Sequence, residues 1–325
     1  MKKRLLSILL AFSLTVGMLT ATVLPAMGGV QTPQGVVPLA NQTWIEVVGD
    51  SAPETGYTIS GNKVEISSAQ GLAWFAKQVN EGTESFADKT VLLTQTIDLS
   101  GYEWVPIGTQ SHPFNGTFDG QSYTISGMGI TVSGNNTVAG LFGCISNGTV
   151  QNVKLAGAKI TGEVTGSTEY YIGGIAAANK AMRSKDANKI TVTNCEVELE
   201  ITLNASSTAG VYIGGIIGWT DSNWSGSGAE IKSTTSDLTL DYTGAIKNYN
   251  AYVGGFIGRI GYYNGSFTIE ECSGLLDGKI SSGFSPKDLS IGRAFGYSSS
   301  SSSPADNKPA YMQIKSSNVV SRLNF

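Results

Sequence analysis

Apolar and polar residues change rhythm along this chain, and the changes predict its elements. The run Leu5 to Leu24 is almost wholly apolar and follows Lys2, Lys3 and Arg4. Pro25 and the small residues Ala26 to Gly28 come next, the layout of a cleaved secretory leader over 1–28 rather than a membrane anchor. From Gly29 to about Asn41, Pro33 and Pro38 stand among Gln, Thr and Val without periodicity, which reads as a linker. Two short strand candidates follow within and beyond a 29–56 segment, at Trp44 to Val48 and at Tyr57 to Ile66, the second broken by the turn pair Gly61 and Asn62. Then the period lengthens. Leu72, Phe75, Ala76 and Val79 recur at helical spacing, Ser67 or Ser68 can cap the start, and Gly82 can close the end. This predicts a helix over about 68–81, placed to cap the array that follows.

From 57 to 325 the dominant signal is internal repetition. VAGLFG at Val138, IGGIAA at Ile172, IGGIIG at Ile213, VGGFIG at Val253 and IGRAFG at Ile291 start 34, 41, 40 and 38 residues apart. Interleaved with them is a second element, apolar or small at x, x+3 and x+5. It reads Ile125/Met128/Ile130, Val150/Val153/Leu155, Val192/Cys195/Val197, Ser233/Ser236/Leu238, Ile269/Cys272/Gly274 and Ile314/Ser317/Val319. No single repeat can bury its apolar side alone, whereas stacked parallel repeats place like residues in ladders about 4.8 Å apart. The fold class expected is therefore all-β, a parallel β-solenoid, with paired glycines where the backbone turns tightly. A phosphate loop is a poor account of IGGIIG, because neither Lys-Ser/Thr nor a helical pattern follows it.

NGTFDGQSYTISGMGI from Asn115, AGLFGCISNGTVQNVKLAGAKITG from Ala139, and IGGIAA with the later TVTNCEVE resemble GLUG-motif repeats of large secreted or surface proteins of bacteria. The stretch ISSAQGLAWFAKQVNEG to IDLSGYEWVPIG is similar to the segment that often leads into such repeats. The resemblance spans about Val64 to Gly258, and Arg293 stands where the pattern wants its second glycine. It implies a right-handed parallel β-helix and a surface scaffold, and it carries over no peptidase activity, since the catalytic motif of peptidases attached to some members is missing.

Composition narrows the chemistry. Glycine, 41 of 325 residues, is about twice its usual share, while charged residues at 14 % fall well below the usual quarter. The net charge is −4, and the leader holds three of the 21 cations, so the rest is more acidic still; a nucleic-acid surface is disfavoured. Cys144, Cys195 and Cys272 are an odd set without a CxxC pair, against a disulfide framework. Cys195 and Cys272 fall in one phase two repeats apart, with Ser236 between, too far to bond. His112 is the one histidine, so no zinc site or HExxH motif can be assembled, and no GxSxG elbow marks a nucleophile for it. Repeated acidic positions that could supply a hydrolase's carboxylate pair or a calcium-dependent lyase's ligand set do not stand out; Asp119, Asp186, Asp221 and Asp241 fall in different parts of the repeat. Catalytic residues, metal ligands and cofactors are thus expected to be none, with a polysaccharide-degrading enzyme on a β-helix as the alternative.

Aromatic placement gives the candidate site. Tyr171, Tyr212 and Tyr252 each precede the Ile/Val-Gly-Gly of a repeat, and alternation turns them outward as a ladder. Trp219 and Trp224 follow one copy of the motif, Tyr262 and Tyr263 the next, and Tyr297 the last, all toward one corner. Exposed flat rings can stack on sugars or on a partner's side chains. The expectation is a secreted, non-catalytic module binding an extracellular glycan or a host or matrix protein, without a membrane-spanning segment after the leader. A structural spacer or a fragment of a larger surface protein, with end-to-end association through uncovered strand edges, is the third reading.

Overall fold

The computed structural model describes residues 42–84, 86–134, 136–179, 188–206, 210–220, 227–244, 251–261, 266–280, 289–298 and 311–324, with backbone alone at 297, 298, 311 and 312. The leader and linker assigned to 1–41 lie outside the described residues, as do Trp224, Tyr262 and Tyr263.

The first described element corrects the sequence reading. Trp44–Val48 is a one-turn helix, α1, instead of a strand. β-branched Ile45, Val47 and Val48 suggest a strand, but Thr43 and Glu46 form a reciprocal capping box: the Glu46 amide donates to Thr43 Oγ1 and the Thr43 amide to the Glu46 carboxylate. Trp44 is buried, and its indole N–H donates to the Leu99 carbonyl at 2.8 Å. Next, β1 (Tyr57–Ser60) and β2 (Lys63–Ile66) form an antiparallel hairpin around Gly61, which adopts φ 59°. β2 pairs in parallel with β3 (Thr90–Leu93). Between them lies α2 (Ala69–Glu81), capped by Ser68 Oγ accepting from the Gly71 amide and ended by left-handed Gly82, as the 68–81 expectation has it. Its buried face, Leu72, Phe75, Ala76 and Val79, joins the main core.

The chain is mostly β, with parallel sheets. Each full repeat gives one strand to each of four sheets, so neighbours in a sheet are about one repeat apart. The first holds Thr117–Asp119, Thr149–Gln151, Lys189–Thr193, Gly228–Lys232, Ser266–Glu270 and Tyr311–Lys315 beyond the β1–β3 strands. The second is built from Lys154–Val164, Glu196–Ala205, Thr235–Gly244, Ser273–Ile280 and Asn318–Asn324, preceded by shorter strands. The third and fourth, five strands each, carry the two halves of the glycine motif. Within Glu196–Ala205, Val197, Leu199, Ile201 and Leu203 point into the core, while Glu196 and Glu200 face out and pair with Lys154 and Lys159. Those exposed pairs contribute little; burial of the alternate residues holds the strand.

Pairing also refines the ladders. Phe118, Val150, Val192, Ile231, Ile269 and Ile314 stand in register, so Ile231 replaces Ser233 and Phe118 replaces Ile125 in the expected series. The fourth copy was displaced by two residues; such a slip keeps every side chain on its own face, so apolar patterning cannot detect it. VAGLFG is corrected too: Ala139, not Val138, pairs with Ile172, because this copy has one residue fewer at the glycine corner.

The bend between the first and second sheets is left-handed in every full repeat: Asn152, Asn194, Ser233, Glu271 and Ser316 have φ between 46° and 55°. The residue after each turns inward. Cys195, Thr234, Cys272 and Ser317 each direct a thiol or hydroxyl to the carbonyl two residues earlier. Thus Thr234, not Ser236, stands between the two cysteines of this ladder, and none of the three cysteines is in a disulfide. Burial pushes the Cys195 thiol up to about 12 and raises that of Cys272. At about pH 8 both are expected to resist an aromatic disulfide reagent in folded protein and to react when denatured. Rapid native-state labelling of Cys195, read by peptide mass, would contradict this placement.

An earlier bend depends on Asp119. Gln121 and Ser122 are both left-handed, and the Asp119 carboxylate accepts from the Gln121 amide and from the side-chain amides of Gln151 and Asn152 at 2.8 to 2.9 Å. Burial raises the acid's pKa, but these donors together outweigh it and leave it lowered from 3.8. The linked stability is present above the unfolded pKa and is lost as pH falls through the lower folded value. Asp119→Asn, which removes the charge and turns the Oδ2 acceptor into a donor facing the Gln151 amide, should cost about 1–3 kcal/mol at neutral pH and flatten the acid-side decline below about pH 4. Equal acid-side slopes for both proteins in urea titrations would refute the linkage.

Candidate functional site

The third sheet consists of Val138–Ala139, Tyr170–Gly173, Val211–Gly214, Ala251–Gly254 and Leu289–Gly292. In register on it stand Val138, Tyr171, Tyr212, Tyr252 and Ser290. The fourth consists of Phe142–Ile145, Ala176–Asn179, Ile217–Thr220, Ile257–Ile260 and Phe295–Ser298, with Cys144, Ala178, Trp219, Arg259 and Tyr297 in register. Ile172, Ile213 and Val253, next to the tyrosines, belong to the main core, while the tyrosines form a separate cluster with Trp219 and Val138. They face away from the main core, as alternation requires.

Their expected exposure is nevertheless corrected. Tyr171, Tyr212 and Tyr252 are only 8, 4 and 6 % exposed, because side chains of the fourth sheet cover them. Trp219 stacks on Tyr171 with centroids 5.2 Å apart and planes 16° apart, and Tyr212 stacks on Tyr252 at 5.7 Å and 11°. The Arg259 guanidinium lies 5.0, 5.7 and 6.0 Å from the rings of Tyr212, Tyr252 and Trp219. Such cation–ring contacts contribute about 0.5–2 kcal/mol each, depending on desolvation.

A polar network overlies the stack. Glu169 accepts hydrogen bonds from both the Tyr171 and Tyr212 hydroxyls, one on each carboxylate oxygen, and Arg259 Nη1 donates to Tyr212 Oη at 2.8 Å. Burial first, and the Glu169 hydrogen bonds second, push both phenols above their usual range. Among the described residues, no acceptor reaches the buried Trp219 Nε1 or Arg259 Nε. The sequence reading missed Glu169 and Arg259. Glu169 stands two residues before Tyr171, and Arg259 occupies the place of Trp219 one repeat later in the register that the motifs at Ile213 and Val253 already give, where aromatic residues alone were followed.

Beside this stack the outer groove is open. A cleft of about 690 Å³ is lined by Val138, Cys144 and Ala178, with Tyr171 and Glu169 at its edge. Its position follows from side-chain size: Val138 and Ala178 occupy the ladder places that Tyr212 and Trp219 fill one or two repeats on. The opposite wall is the segment Val105 to Gln110. Asn80, at the end of α2, holds that segment by accepting from the Gly108 amide at 2.6 Å and donating to the Pro106 carbonyl. Gln110, Asn136, Thr137, Thr168 and Asn179 add amide and hydroxyl groups.

His112 is a fastener of this wall. Its Nδ1 lies 2.9 Å from the Asn80 carbonyl, and its ring covers Gly82 closely enough that a Cβ there would clash at 2.6 Å. Since a carbonyl only accepts, Nδ1 carries the proton. Among the described residues the ring's hydrogen-bond partner is that carbonyl, an arrangement unlike a nucleophile–histidine–carboxylate relay. Of the seven proposed ligand-binding residues, Tyr171 lines the cleft, while Trp219, Tyr212 and Tyr252 form the stack behind it.

The fold and cleft define a parallel-sheet repeat protein with a largely apolar concavity that reaches Tyr171 and carries amide and hydroxyl groups. No family model matches the chain. Over 103 residues, 31 % of this chain, it is 35 % identical to a protein of Evansella cellulosilytica provisionally named a Gly-rich membrane protein. The match spans 12 % of that relative's length. Among solved structures, a protein of Bacteroides ovatus provisionally named an immunoglobulin A1 protease aligns over 78 % of this chain and 84 % of its own, with 17 % identity and a TM-score of 0.33. Among the described residues, no helix is long and apolar enough to cross a membrane.

Proposed function

We propose that this chain is a right-handed parallel β-helix of the GLUG-repeat kind, capped by α2 and displayed outside the cell, where it binds a glycan without catalysis. The observation that carries this reading is the cleft: a mainly apolar lining with amide and hydroxyl groups among it includes Tyr171, a ring backed by Trp219. Sugars present the complement, hydroxyls around a weakly polar ring face. The volume lies within the range of small-ligand sites, about 300–1,000 Å³. Secretion agrees with the leader at 1–28, and a cell-surface setting agrees with the name of the Evansella relative.

The enzyme alternative is weaker at this site. Glycoside hydrolysis uses two flanking carboxylates about 5–10 Å apart, whereas Glu169 is the one carboxylate among the described residues that line the cleft, and both its oxygens already accept phenol hydroxyls. Association of copies has its own support: Ile314 and Val320, on the last strands, are 48 and 42 % exposed, although Ile269, in register with Ile314, is buried. Light scattering across a concentration series tests that contact.

The binding test is retention of the chain from Gly29 onward on a mixed panel of glycans and matrix proteins, with Tyr171→Ala and Trp219→Ala/Trp224→Ala alongside. Tyr171→Ala is expected to weaken glycan retention at least about tenfold while Tyr171→Phe preserves most of it. Retention on matrix protein alone would transfer the role to protein adhesion. Glycan retention indifferent to Tyr171→Ala would remove the cleft from the reading.

A further inference from the structure

We infer that the cleft selects the uncharged terminal unit of a glycan and rejects acidic sugars and through-running chains; this rests on the reading of the cleft as a glycan site. The first ground is charge. Among the described residues that line it, Glu169 is the only Asp, Glu, Lys, Arg or His. The nearby cation, Arg259, stands in register one repeat beyond Trp219 and two beyond Ala178, where it covers Tyr212 and Tyr252 and donates to the Tyr212 hydroxyl. A uronate, sialate or sulfate in the cleft would therefore meet a carboxylate and no cation among the described lining residues. Repulsion of this kind, set against hydrogen bonds that suit any neutral sugar, is how a site discriminates by charge.

The second ground is shape. Along the repeat axis the groove is filled on one side, where Trp219 stacks on Tyr171 and Arg259 follows. On the other side stands the Val105 to Gln110 segment, fixed by its two hydrogen bonds to Asn80. A polysaccharide lying along the groove would have to pass through one of these barriers. A chain end entering from the open face meets neither. Tyr171 then serves as the wall against which the terminal ring rests, held by stacking on Trp219 and by its hydroxyl on Glu169.

Calorimetric titration of the chain from Gly29 onward tests both parts. The probes are a linear neutral oligosaccharide retained by the panel, the same chain ending in a uronic acid, and a cyclic oligomer of the neutral unit. The linear neutral probe is expected to bind at least about tenfold more tightly than either of the others. Its affinity should change less than about threefold between 0.05 and 0.5 M salt, because no ion pair forms. Glu169→Gln is expected to narrow the gap between neutral and acidic probes. Equal or tighter binding of the acidic probe, lost in Tyr171→Ala, would overturn the neutral selectivity and leave the glycan reading standing. Tyr171-dependent binding of the cyclic probe would overturn the terminal-unit assignment. If no sugar of either charge binds, the glycan reading and this inference both fall.

Discussion

Gly214→Ala is expected to destabilise the protein by more than about 3 kcal/mol and to break the cooperativity of its unfolding. A Cβ at Gly214 would lie 1.9 Å from the Ile217 carbonyl oxygen and 2.7 Å from the Gly258 amide nitrogen. Both obstacles are backbone, so no rotamer change relieves them. The same clash recurs at the equivalent places: 2.2 Å from the Ala176 oxygen at Gly173, and 2.0 Å from the Ile257 oxygen at Gly254. The repeated glycine is thus required where the third and fourth sheets meet and the chain nearly touches itself. Because each repeat is held mainly by its neighbours, a defect at Gly214 should separate the array into parts that melt apart. Gly157→Ala is the comparison. That glycine has φ 59° but nothing within 4 Å of a Cβ, so it should cost only about 1–2 kcal/mol for the left-handed backbone. Denaturant unfolding with a limited-proteolysis readout distinguishes the two, and equal small costs would mean that the corner relaxes.

Features set by local chemistry were legible in the sequence. The caps of α2, the Gly61 turn and the glycine corners each depend on residues adjacent in the chain. α1 was misread although its signal was present: T-W-I-E from Thr43 is a capping box, and it outweighed three β-branched residues in a segment too short for periodicity to decide. A two-residue slip keeps every side chain on its own face, which is why Ile231 and Thr234 were passed over for Ser233 and Ser236, while the one-residue shift of VAGLFG shows only in the strand pairing. Covering of the tyrosines was beyond local reading. It depends on which residues of the fourth sheet lie beside those of the third, and that follows from the Gly-Gly corner geometry. The cleft has the same origin. It exists because Val138 and Ala178 are small at ladder positions, and their smallness acquires meaning only once the short first copy is aligned without its extra glycine.

The wall of the cleft also depends on a core cluster beneath α2, and this makes Phe75→Ala the other large expected loss, about 3–5 kcal/mol. Phe75 is fully buried, with its ring edge-on to Phe86 at 4.9 Å and to Phe114 at 5.7 Å, and stacked with Phe118 at 6.1 Å. Phe114 and Phe118 in turn contact Phe142, at 5.1 and 5.4 Å. Three rings therefore converge on one helical side chain, with Phe142 packed behind two of them, and truncating it leaves a cavity that rigid ring neighbours cannot fill. The consequence extends to the site. Asn80, one turn beyond Phe75 on α2, holds Pro106 and Gly108, and its carbonyl holds His112, so loosening α2 should release the cleft wall as well. Phe75→Ala is then expected to lower ligand affinity at temperatures where the repeats remain folded, with amide exchange rising first in α2 and at Gly108. A loss below about 1 kcal/mol, with exchange at Gly108 unchanged, would mean that α2 opens independently of the sheets it covers.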